Sequence, residues 1–371
     1  MKSLRPKIII VGAGPAGSSL AYYLSRQGFE VEVYESHQKP GNRPCAWGVP
    51  KQIERFIDIP KELVLNYIDV IDLYLNKKLL YSAEFKGEWG YVIDKPNWLK
   101  YLLDNSKATV KFRHPYDTKK LNSQNEDEEH ILVLANGRTG ADEGSLKLNA
   151  IEYVLEVDSW PNNKIEFWFD SSFVGYTWVF PRGDKHVSVG VGAFKSFSFL
   201  NKYLDEFIKN HPKIRSGRTI KKKGDFLVIS GLRIDKAVRA KNVFAVGEAI
   251  GAVFPITGEG IRPSVMTSFA LSRALSHETS YINELRKTGL PFAMNIHKVV
   301  LWMAMSSTPE ERAQLLSSVP LEKSVLLATG EFDIEELKNS YPFLAEILDN
   351  LEKNDVILDE YVNQHKELAE M

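Results

Sequence analysis

Two glycine-rich segments, more than two hundred residues apart, constrain this chain more than any other feature. Residues 7–17 read KIIIVGAGPAG, and residues 243–261 read VFAVGEAIGAVFPITGEGI. In both, the first glycines directly follow an apolar run typical of a strand buried on both faces of a parallel sheet. We therefore expect both segments at the carboxyl ends of strands, where α/β sheets bind their ligands.

The first segment predicts a strand, a tight turn and a helix. Gly12 permits the turn, Gly14 lets the backbone approach a pyrophosphate, and Gly17 lets the helix pack on the strand. The helix begins with Pro15 and Ala16 and directs its N-terminal N–H groups at the phosphates. This arrangement is typical of a dinucleotide-binding fold.

An acidic residue follows at the distance that such a fold requires. The alternating run over residues 30–35 predicts a second strand, and Glu35 lies at its tip, 35 − 17 = 18 residues after Gly17. A carboxylate there accepts hydrogen bonds from a ribose hydroxyl, which favours FAD or NAD over NADP. Tyr34, beside it, is counted among the nucleotide contacts.

The second segment favours FAD over NAD. The carboxylate of Glu248, directly after the strand of this segment, can accept hydrogen bonds from the ribityl hydroxyls of a flavin. The glycines around residue 259 open an apolar helix from residue 261 to about residue 275, whose free N–H groups can stabilise negative charge on the pyrimidine edge of a reduced flavin. The predicted contacts are Gly247, Glu248, Pro255, Gly258, Glu259, Gly260 and Ile261.

Composition excludes several function classes. The chain has 371 residues and a formal net charge of −1, so no basic footprint indicates a nucleic-acid partner. Its single cysteine, Cys45, excludes an internal disulfide and suits a reducing compartment. Scattered histidines give no metal-ligand spacing. No signal peptide or membrane-spanning segment is expected, so we predict a cytoplasmic protein. We predict no metal site. Peripheral contact with a membrane surface is a possibility that the sequence leaves open.

The middle of the chain changes from mixed to alternating patterns, which indicate an antiparallel sheet. We predict an α/β fold with a Rossmann-like FAD-binding domain, an inserted antiparallel-sheet substrate domain and a helical C-terminal region. The FAD-binding domain takes residues 1–65, 90–150 and 225–275, the substrate domain takes 66–89 and 151–224, and the helical region takes 276–371.

Residues 176–181 read YTWVFP, and eight residues later comes Gly190-Val191-Gly192. This pattern resembles that of the FAD-dependent geranylgeranyl reductases, within the p-hydroxybenzoate hydroxylase-type flavoproteins, and the resemblance covers about residues 7–275. It implies saturation of C=C bonds in geranylgeranyl or polyprenyl lipids, as in archaeal membrane lipids, by hydride from the N5 atom of reduced flavin. It also implies that the motif lines the substrate cavity, through Tyr176, Trp178, Phe180, Pro181, Gly190 and Gly192.

Strand periodicity agrees with such a wall. Tyr176, Trp178 and Phe180 alternate and therefore share one face of a strand. An apolar face of this kind can hold a long hydrocarbon by shape and burial. A strand facing the ordinary core would show the same periodicity.

The loop that contains Cys45 reads RPCAWG over residues 43–48. In the family a cysteine often lies here near the flavin, so Cys45 is a candidate proton donor to the alkene; it is equally readable as a small buried apolar residue. Relatives are glycine-rich after it, whereas this chain has Ala46 beside the cofactor and Trp47, which would narrow the cavity. Arg43 is a candidate contact to the cofactor or a lipid phosphate, with a solvated loop arginine as the alternative.

Three further cofactor contacts follow from the resemblance alone. Lys95 takes the place of an arginine that is common in relatives. It keeps the positive charge but lacks the planar guanidinium group. Ala135 and Gly137 belong to a motif in which relatives often have an aspartate at the position of Asn136. In the second glycine-rich segment, Glu248 takes the place of the aspartate that is common in relatives.

Several alternatives stay open. The apolar stretch over residues 296–305 is readable as a cap on the lipid tunnel, a membrane-surface helix or a core helix. A flavin monooxygenase or halogenase would use the same scaffold, and a non-catalytic prenyl-binding protein is the alternative outside enzymes. Because no second GxGxxG segment is present, the electron donor is either transiently bound NAD(P)H or a protein carrier.

Overall fold

The nucleotide-binding sheet is assembled from both glycine-rich segments. The structure, a computed structural model, describes residues 5–41, 43–85, 87, 89–117, 130–140, 145–318, 321–331, 335, 338 and 339. One six-stranded sheet has neighbouring strands that pair in parallel, except for the antiparallel outermost pair. Its order is β15 (Val238–Ala240), β16 (Val243–Ala245), β9 (His130–Leu134), β1 (Lys7–Val11), β2 (Val31–Glu35) and β8 (Thr109–Phe112).

A larger sheet forms the second layer of the molecule. All its pairs are antiparallel except β11 with β5, and β14 and β6 are its two edges in the described part of the chain. Its order is β14 (Arg218–Val228), β10 (Lys147–Glu156), β13 (His186–Ala193), β12 (Gly175–Pro181), β11 (Lys164–Phe169), β5 (Val70–Leu75) and β6 (Lys78–Glu84). A small antiparallel sheet joins β3 (Gly48–Pro50), β7 (Gly90–Ile93) and β4 (Val64–Ile68).

Helices cover these sheets. They are α1 (Pro15–Arg26), α2 (Lys95–Asp104), α3 (Phe197–Asn210), α4 (Ile261–His277), α5 (Tyr281–Lys287), α6 (Leu290–Ser306), α7 (Pro309–Ser318) and α8 (Leu321–Thr329). Short 3₁₀ helices occupy Lys51–Arg55, Lys61–Leu63, Gly137–Gly140, Ile234–Lys236 and Gly247–Ile250. The predicted fold class, with its parallel sheet, antiparallel sheet and C-terminal helices, is confirmed.

Among the apolar cores of the described residues, two stabilise the two main layers. The first lies between the six-stranded sheet and its covering helices, with Ile8, Leu20 and Leu271 fully buried. The second lies between the seven-stranded sheet and α3, whose apolar stripe includes Leu200 and Leu204. Burial of this kind is the main favourable term in folding.

The predicted domain boundaries cut strands at three places. The boundaries after residues 65, 150 and 224 fall inside β4, β10 and β14. The polar stretch from Asp117 to His130 predicts an exposed loop, and all of it except its two end residues lies outside the described residues. The predicted helices beyond residue 340 also lie outside them. In the described part of the chain no helix is both long and apolar enough to cross a membrane.

Candidate functional site

The first glycine turn is packed against the neighbouring strand as the sequence predicts. Gly12 has φ +105°, and a Cβ there would stand 2.5 Å from the carbonyl oxygen of Ala135. A Cβ on Gly17 would stand 1.8 Å from the carbonyl oxygen of Gly12. Both glycines, and the small Ala135, are therefore required by close backbone packing.

Gly14 is different, because nothing in the protein requires it to be glycine. Its φ of −72° is open to any residue, and a Cβ there would meet no atom within 4 Å. It is the residue directly before α1, whose N-terminus no side chain caps. Open space in front of an uncapped helix N-terminus fits the pyrophosphate of a dinucleotide.

Glu35 lies beside this turn at the tip of β2. Its carboxylate accepts hydrogen bonds from the backbone N–H of Ala13 at 2.8 Å and of His37 at 2.8 Å. These bonds orient a buried carboxylate next to the predicted ribose position. Tyr34 contributes differently from the prediction: its carbonyl accepts from the N–H of Gly12, while its hydroxyl is bonded to Glu32 and Lys111.

The two glycine-rich segments meet directly. Gly247 has φ +67°, and a Cβ there would stand 2.7 Å from the Cβ of Ala16. The hydroxyl of Ser268 on α4 donates to the carbonyl of Ala16 at 2.8 Å. The residue before α4, Gly260, provides no side-chain cap, so the N–H groups of the first turn are left for a ligand.

Arg43 anchors a charged cluster at the second segment. Its guanidinium contacts Glu248, Asp225 (3.1 Å) and the carbonyl of Phe226 (2.7 Å), so the solvated-loop interpretation is wrong. Burial alone would lower the pKa of Arg43, but the two carboxylates raise it above its usual value. Gly137 borders the cluster, because a Cβ there would stand 3.4 Å from Glu248.

Glu248 already has two donors, Arg43 and the N–H of Val228 at 3.1 Å. A carboxylate offers about four lone-pair sites, so it retains capacity for a ribityl hydroxyl. Arg138 donates to Asp225 at 2.8 Å, and although burial opposes it, this bond together with Arg43 lowers the pKa of Asp225. The cluster is thus charged and pre-oriented.

Lys95 is a buried cation at the start of α2. It is 5 % exposed, and its aliphatic stem lies against Gly41. Lys223 on β14 is close enough for Lys95 to contribute to its lowered pKa of about 8, for which burial is the larger cause, followed by Lys221.

These features fit FAD at this site. Gly14 leaves room for the pyrophosphate, Glu35 stands at the ribose position, and Glu248 and the N-terminus of α4 lie where the flavin end would be. The two binding segments touch through Ala16 and Gly247, so a single dinucleotide can reach both.

An apolar cavity of about 440 Å³ begins at these loops. Its lining includes the Cys45 loop and residues 255–261, among them Pro255, Gly258 and Glu259. The predicted aromatic face forms a wall: Trp47, Tyr176, Trp178, Phe180 and Gly192 all line the cavity. Predicted substrate contacts outside this lining, in the described residues, are Pro181 and Gly190.

Gly190 has a packing role instead. A Cβ there would stand 2.1 Å from the indole of Trp178 and 2.5 Å from the carbonyl of Ile151. The Trp178 indole therefore covers Gly190, and the glycine makes room for this ring of the wall.

Tyr176 bridges the wall and the flavin-binding loop. Its hydroxyl donates to the carbonyl of Thr257, and burial, with smaller contributions from Cys45 and Glu259, raises its pKa. Tyr176 therefore stays protonated and holds the two sides of the cavity together.

The C-terminal helices line the cavity. For residues 296–305 the sequence allowed a cap on the tunnel, a membrane-surface helix or a core helix, and α6 combines the first with the third. Ile296, Val300 and Leu301 of α6 line it, while Leu290 and Met294 pack into the first core. Helices α7 and α8 add further lining residues, among them Leu315, Val325 and Ala328.

A buried ion pair connects α8 to the flavin-binding loop. Arg262 forms two 3.0 Å bonds to Glu259 and donates to the carbonyl of Thr329 at 2.6 Å. The end of α8 is thereby tied to the first turn of α4. Sequence reasoning missed Arg262, because nothing in a single sequence signals a partner 67 residues away.

Sequence reasoning also missed Glu152 and Arg182, which contact the Cys45 loop. The Cys45 N–H donates to Glu152 at 3.2 Å, and Arg182 donates to the Cys45 carbonyl at 2.8 Å. Within the described ranges no group of three or more His, Cys, Asp or Glu residues could hold a metal ion.

Residues 148–226, which form the aromatic wall and its neighbouring strands, match the family model of the geranylgeranyl reductase catalytic domain. Over this segment the chain is similar to the geranylgeranyl reductases. Residues 10–44 match the NAD(P)-binding Rossmann-like domain, which covers the first glycine turn and Glu35. A digeranylgeranylglycerophospholipid reductase of Thermoplasma acidophilum is 26% identical over 309 residues, 70% of this chain and 75% of that relative.

Solved structures support the geranylgeranyl reductase fold. A geranylgeranyl bacteriochlorophyll reductase-like protein from Thermoplasma acidophilum matches with a TM-score of 0.72 and 19% identity, over 94% of this chain and 99% of that one. A flavin-dependent brominase triple mutant matches with a TM-score of 0.69 and 13% identity, over 94% and 100%. At these identities the likeness concerns the fold.

Proposed function

We propose that this protein is an FAD-dependent reductase that saturates C=C bonds in geranylgeranyl or related polyprenyl chains of lipids. The observation that carries the proposal is the apolar cavity between the flavin-binding loops and the aromatic wall. Its lining includes residues of both the Cys45 loop and the second glycine-rich segment, among them Cys45 and Gly258. The relatives named as digeranylgeranylglycerophospholipid reductases support the same substrate class.

The cavity suits a hydrocarbon better than a polar substrate. Its lining is dominated by aliphatic and aromatic side chains, so a prenyl chain would be held by burial, worth roughly 25 cal/mol per Å² of apolar surface. The aromatic rings are fixed by mutual edge-to-face contacts: Phe167 lies 5.6 Å from Tyr176 and 5.4 Å from Phe180, measured between ring centroids. A rigid wall holds one bond of a flexible chain in place.

When bound, reduced FAD supplies a hydride to one carbon of the alkene. The chain's own residues then need to deliver a proton to the other carbon while excluding water. Tyr176 is a poor donor, because its hydroxyl is bonded to Thr257 and its pKa is raised by burial. We assign the proton to the Cys45 thiol, which lines the cavity at its flavin end.

The decisive experiment uses protein loaded with FAD and reduced with dithionite under anaerobic conditions. Geranylgeranyl lipids with several head groups are added, and the chains are analysed by mass spectrometry. We expect a gain of two hydrogens for each bond reduced, and a large loss of turnover in Cys45→Ala with FAD content unchanged.

The other candidates give different outcomes in the same experiment. Chains that stay unsaturated with every head group, although the protein binds them, would indicate a prenyl-binding protein. Product that forms only after oxygen is admitted would indicate a monooxygenase or halogenase.

We also propose that the protein contacts a membrane surface through the start of α3. Phe197 and Phe199 are 40 % and 41 % exposed there, and the ammonium of Lys195 lies 5.5 Å from the Phe199 ring. Exposed aromatic side chains beside lysines favour binding at an anionic lipid surface. Phe199 also packs at 5.9 Å against Phe173, which lines the cavity. The surface therefore adjoins the space that would receive the lipid chain.

A further inference from the structure

A buried ion pair lies directly behind the Cys45 loop. Glu152 on β10 and Arg182, the residue after β12, are joined at 2.8 Å, and their side chains are only 4 % and 11 % exposed. Removing two charges from water is costly, and a buried pair is often no more stabilising than apolar residues of the same size. Positioning of a neighbouring group is therefore the better explanation of this pair.

The pair holds both backbone polar groups of Cys45. The carboxylate of Glu152 accepts from the Cys45 N–H at 3.2 Å, and the guanidinium of Arg182 donates to the Cys45 carbonyl at 2.8 Å. Cys45 is consequently fixed from one side, by strands of the substrate layer that lie more than a hundred residues away in sequence.

Arg182 also holds Trp47, two residues further along the loop. Trp47 has φ +65°, a conformation that non-glycine residues seldom adopt. The guanidinium of Arg182 lies 3.7 Å from the centre of the Trp47 indole, which stabilises it by a cation–π contact. In this conformation the backbone N–H of Trp47 donates to the Cys45 sulfur at 3.4 Å. The thiol is therefore oriented through Trp47 as well as through its own backbone.

The same pair connects Cys45 to the aromatic wall. The Trp178 indole N–H donates to the hydroxyl of Ser188 at 3.1 Å, and that hydroxyl donates to Glu152 at 2.7 Å. The wall and the Cys45 backbone N–H thus share one carboxylate, which couples the position of the Cys45 loop to that of the wall.

We propose that Glu152 and Arg182 are positioning residues, which hold the Cys45 thiol and the Trp47 indole at the flavin end of the cavity. Neither residue is placed in contact with substrate or cofactor. The role of the thiol as proton donor rests on the proposed function, but its orientation by the pair does not.

The test uses the fact that Cys45 is the only cysteine, so alkylation of the chain reports on this thiol alone. The rate of alkylation by iodoacetamide is measured on the FAD-loaded protein for Arg182→Lys, Arg182→Met and Glu152→Gln. We expect the rate to change at least tenfold in Arg182→Met and Glu152→Gln. The change should be smaller in Arg182→Lys, which keeps a charged donor but loses the planar stack. FAD content should stay at the wild-type level.

A matched control removes an ion pair elsewhere in the same sheet. Lys164 and Asp72 are joined at 2.6 Å between β11 and β5, and Lys164→Met should leave the alkylation rate unchanged. If the rate changes equally in the control, or in none of the Arg182 and Glu152 variants, the positioning role is contradicted. If Arg182→Met does not fold, Arg182→Lys and Glu152→Gln decide the question.

Activity separates this inference from the proposed function. With a prenyl lipid and reduced FAD, we expect kcat to fall at least tenfold in Arg182→Lys while KM changes less than threefold. A wild-type protein that reduces no prenyl chain would contradict the proposed function, and the alkylation result would still decide the positioning role. A wild-type protein that reduces the chains, beside an Arg182→Lys variant with unaltered alkylation and kcat, would contradict the positioning role alone.

Discussion

At the scale of single residues, Gly14 and Gly28 show that two glycines can be needed for opposite reasons. Gly14 has an ordinary φ and open space around it, whereas Gly28 has φ +87° and equally open space. The first is thus explained by a ligand and the second by backbone conformation.

This difference predicts reciprocal phenotypes. Gly14→Ser keeps a favoured helix-capping residue but places a side chain where the pyrophosphate would lie. We expect FAD affinity to fall at least tenfold, about 1.4 kcal/mol, with the melting temperature of the FAD-free protein nearly unchanged. Titration with FAD and thermal unfolding measure the two effects.

Gly28→Ala is the matched control. Its left-handed backbone should cost about 1 kcal/mol of folding stability, while the FAD affinity stays at the wild-type value. Equal FAD affinity in wild type and Gly14→Ser would contradict the assignment of this space to the cofactor.

The glycine spacing and the offset to Glu35 were predictable, because both depend on local geometry within one βαβ unit. The pairing of Arg43 with Asp225 and Glu248 was not, since these partners lie 182 and 205 residues away. Glu152 and Arg182 were missed for the same reason: one lies in a strand and the other directly after one, and only the fold brings them to Cys45.

At the scale of elements, α6 and α8 are joined through a buried histidine. The His297 ring donates from Nε2 to the carbonyl of Leu327 at 2.8 Å, while its Nδ1 has no partner among the described residues. The ring also packs on Phe254 at 4.5 Å. Burial, followed by the effect of Arg262, lowers the pKa of His297 to about 3, although the bond to Leu327 opposes it.

This contact predicts a pH dependence of stability. Since His297 has a pKa of about 6.5 in the unfolded chain, the unfolded state binds more protons than the folded state between pH 6.5 and 3. The free energy of unfolding should therefore fall as the pH drops below 6.5, by roughly 1.4 kcal/mol per pH unit. It should be independent of this group above pH 7.

Urea unfolding at pH 7 and pH 5 measures this effect. Between pH 7 and pH 5, we expect the free energy of unfolding of wild type to fall by roughly 2 kcal/mol more than that of His297→Gln. The Gln amide can still donate to Leu327 but does not titrate. His114→Gln, at an exposed position, should keep the wild-type slope. Parallel pH profiles for wild type and His297→Gln would count against a buried, neutral ring.

Most elements of the two larger sheets were predictable from their apolar runs and alternation. The role of α6 was not, because its hydrophobicity fits a core helix, a cap or a surface helix equally well. Its two faces do different things, one in the core and one at the cavity, and only tertiary packing determines this division.

At the scale of the whole molecule, the predicted membrane surface at α3 can be tested by flotation with vesicles. We expect the double variant Phe197→Ser, Phe199→Ser to lose most of its binding to vesicles that contain about one third anionic lipid, because it loses its apolar contact. Binding by wild type should weaken as salt is raised, since screening reduces the attraction of Lys195 and its neighbours.

Val238→Ser is the control, since Val238 is 41 % exposed on β15, away from α3. It should bind vesicles as wild type does. Loss of binding in the control, or full binding by the double variant, would place the membrane contact elsewhere.

The edge strand β14 has a consequence for how copies of the protein meet. Arg218, Lys221 and Lys222 are exposed along it, at one margin of the seven-stranded sheet. If two molecules aligned these margins to continue the sheet, these cationic side chains would face one another, two of them already paired with Glu156 and Asp205 of their own chain. We expect this positive margin to disfavour edge-to-edge pairing of two copies, and acetylation of the two lysines to make such pairing easier.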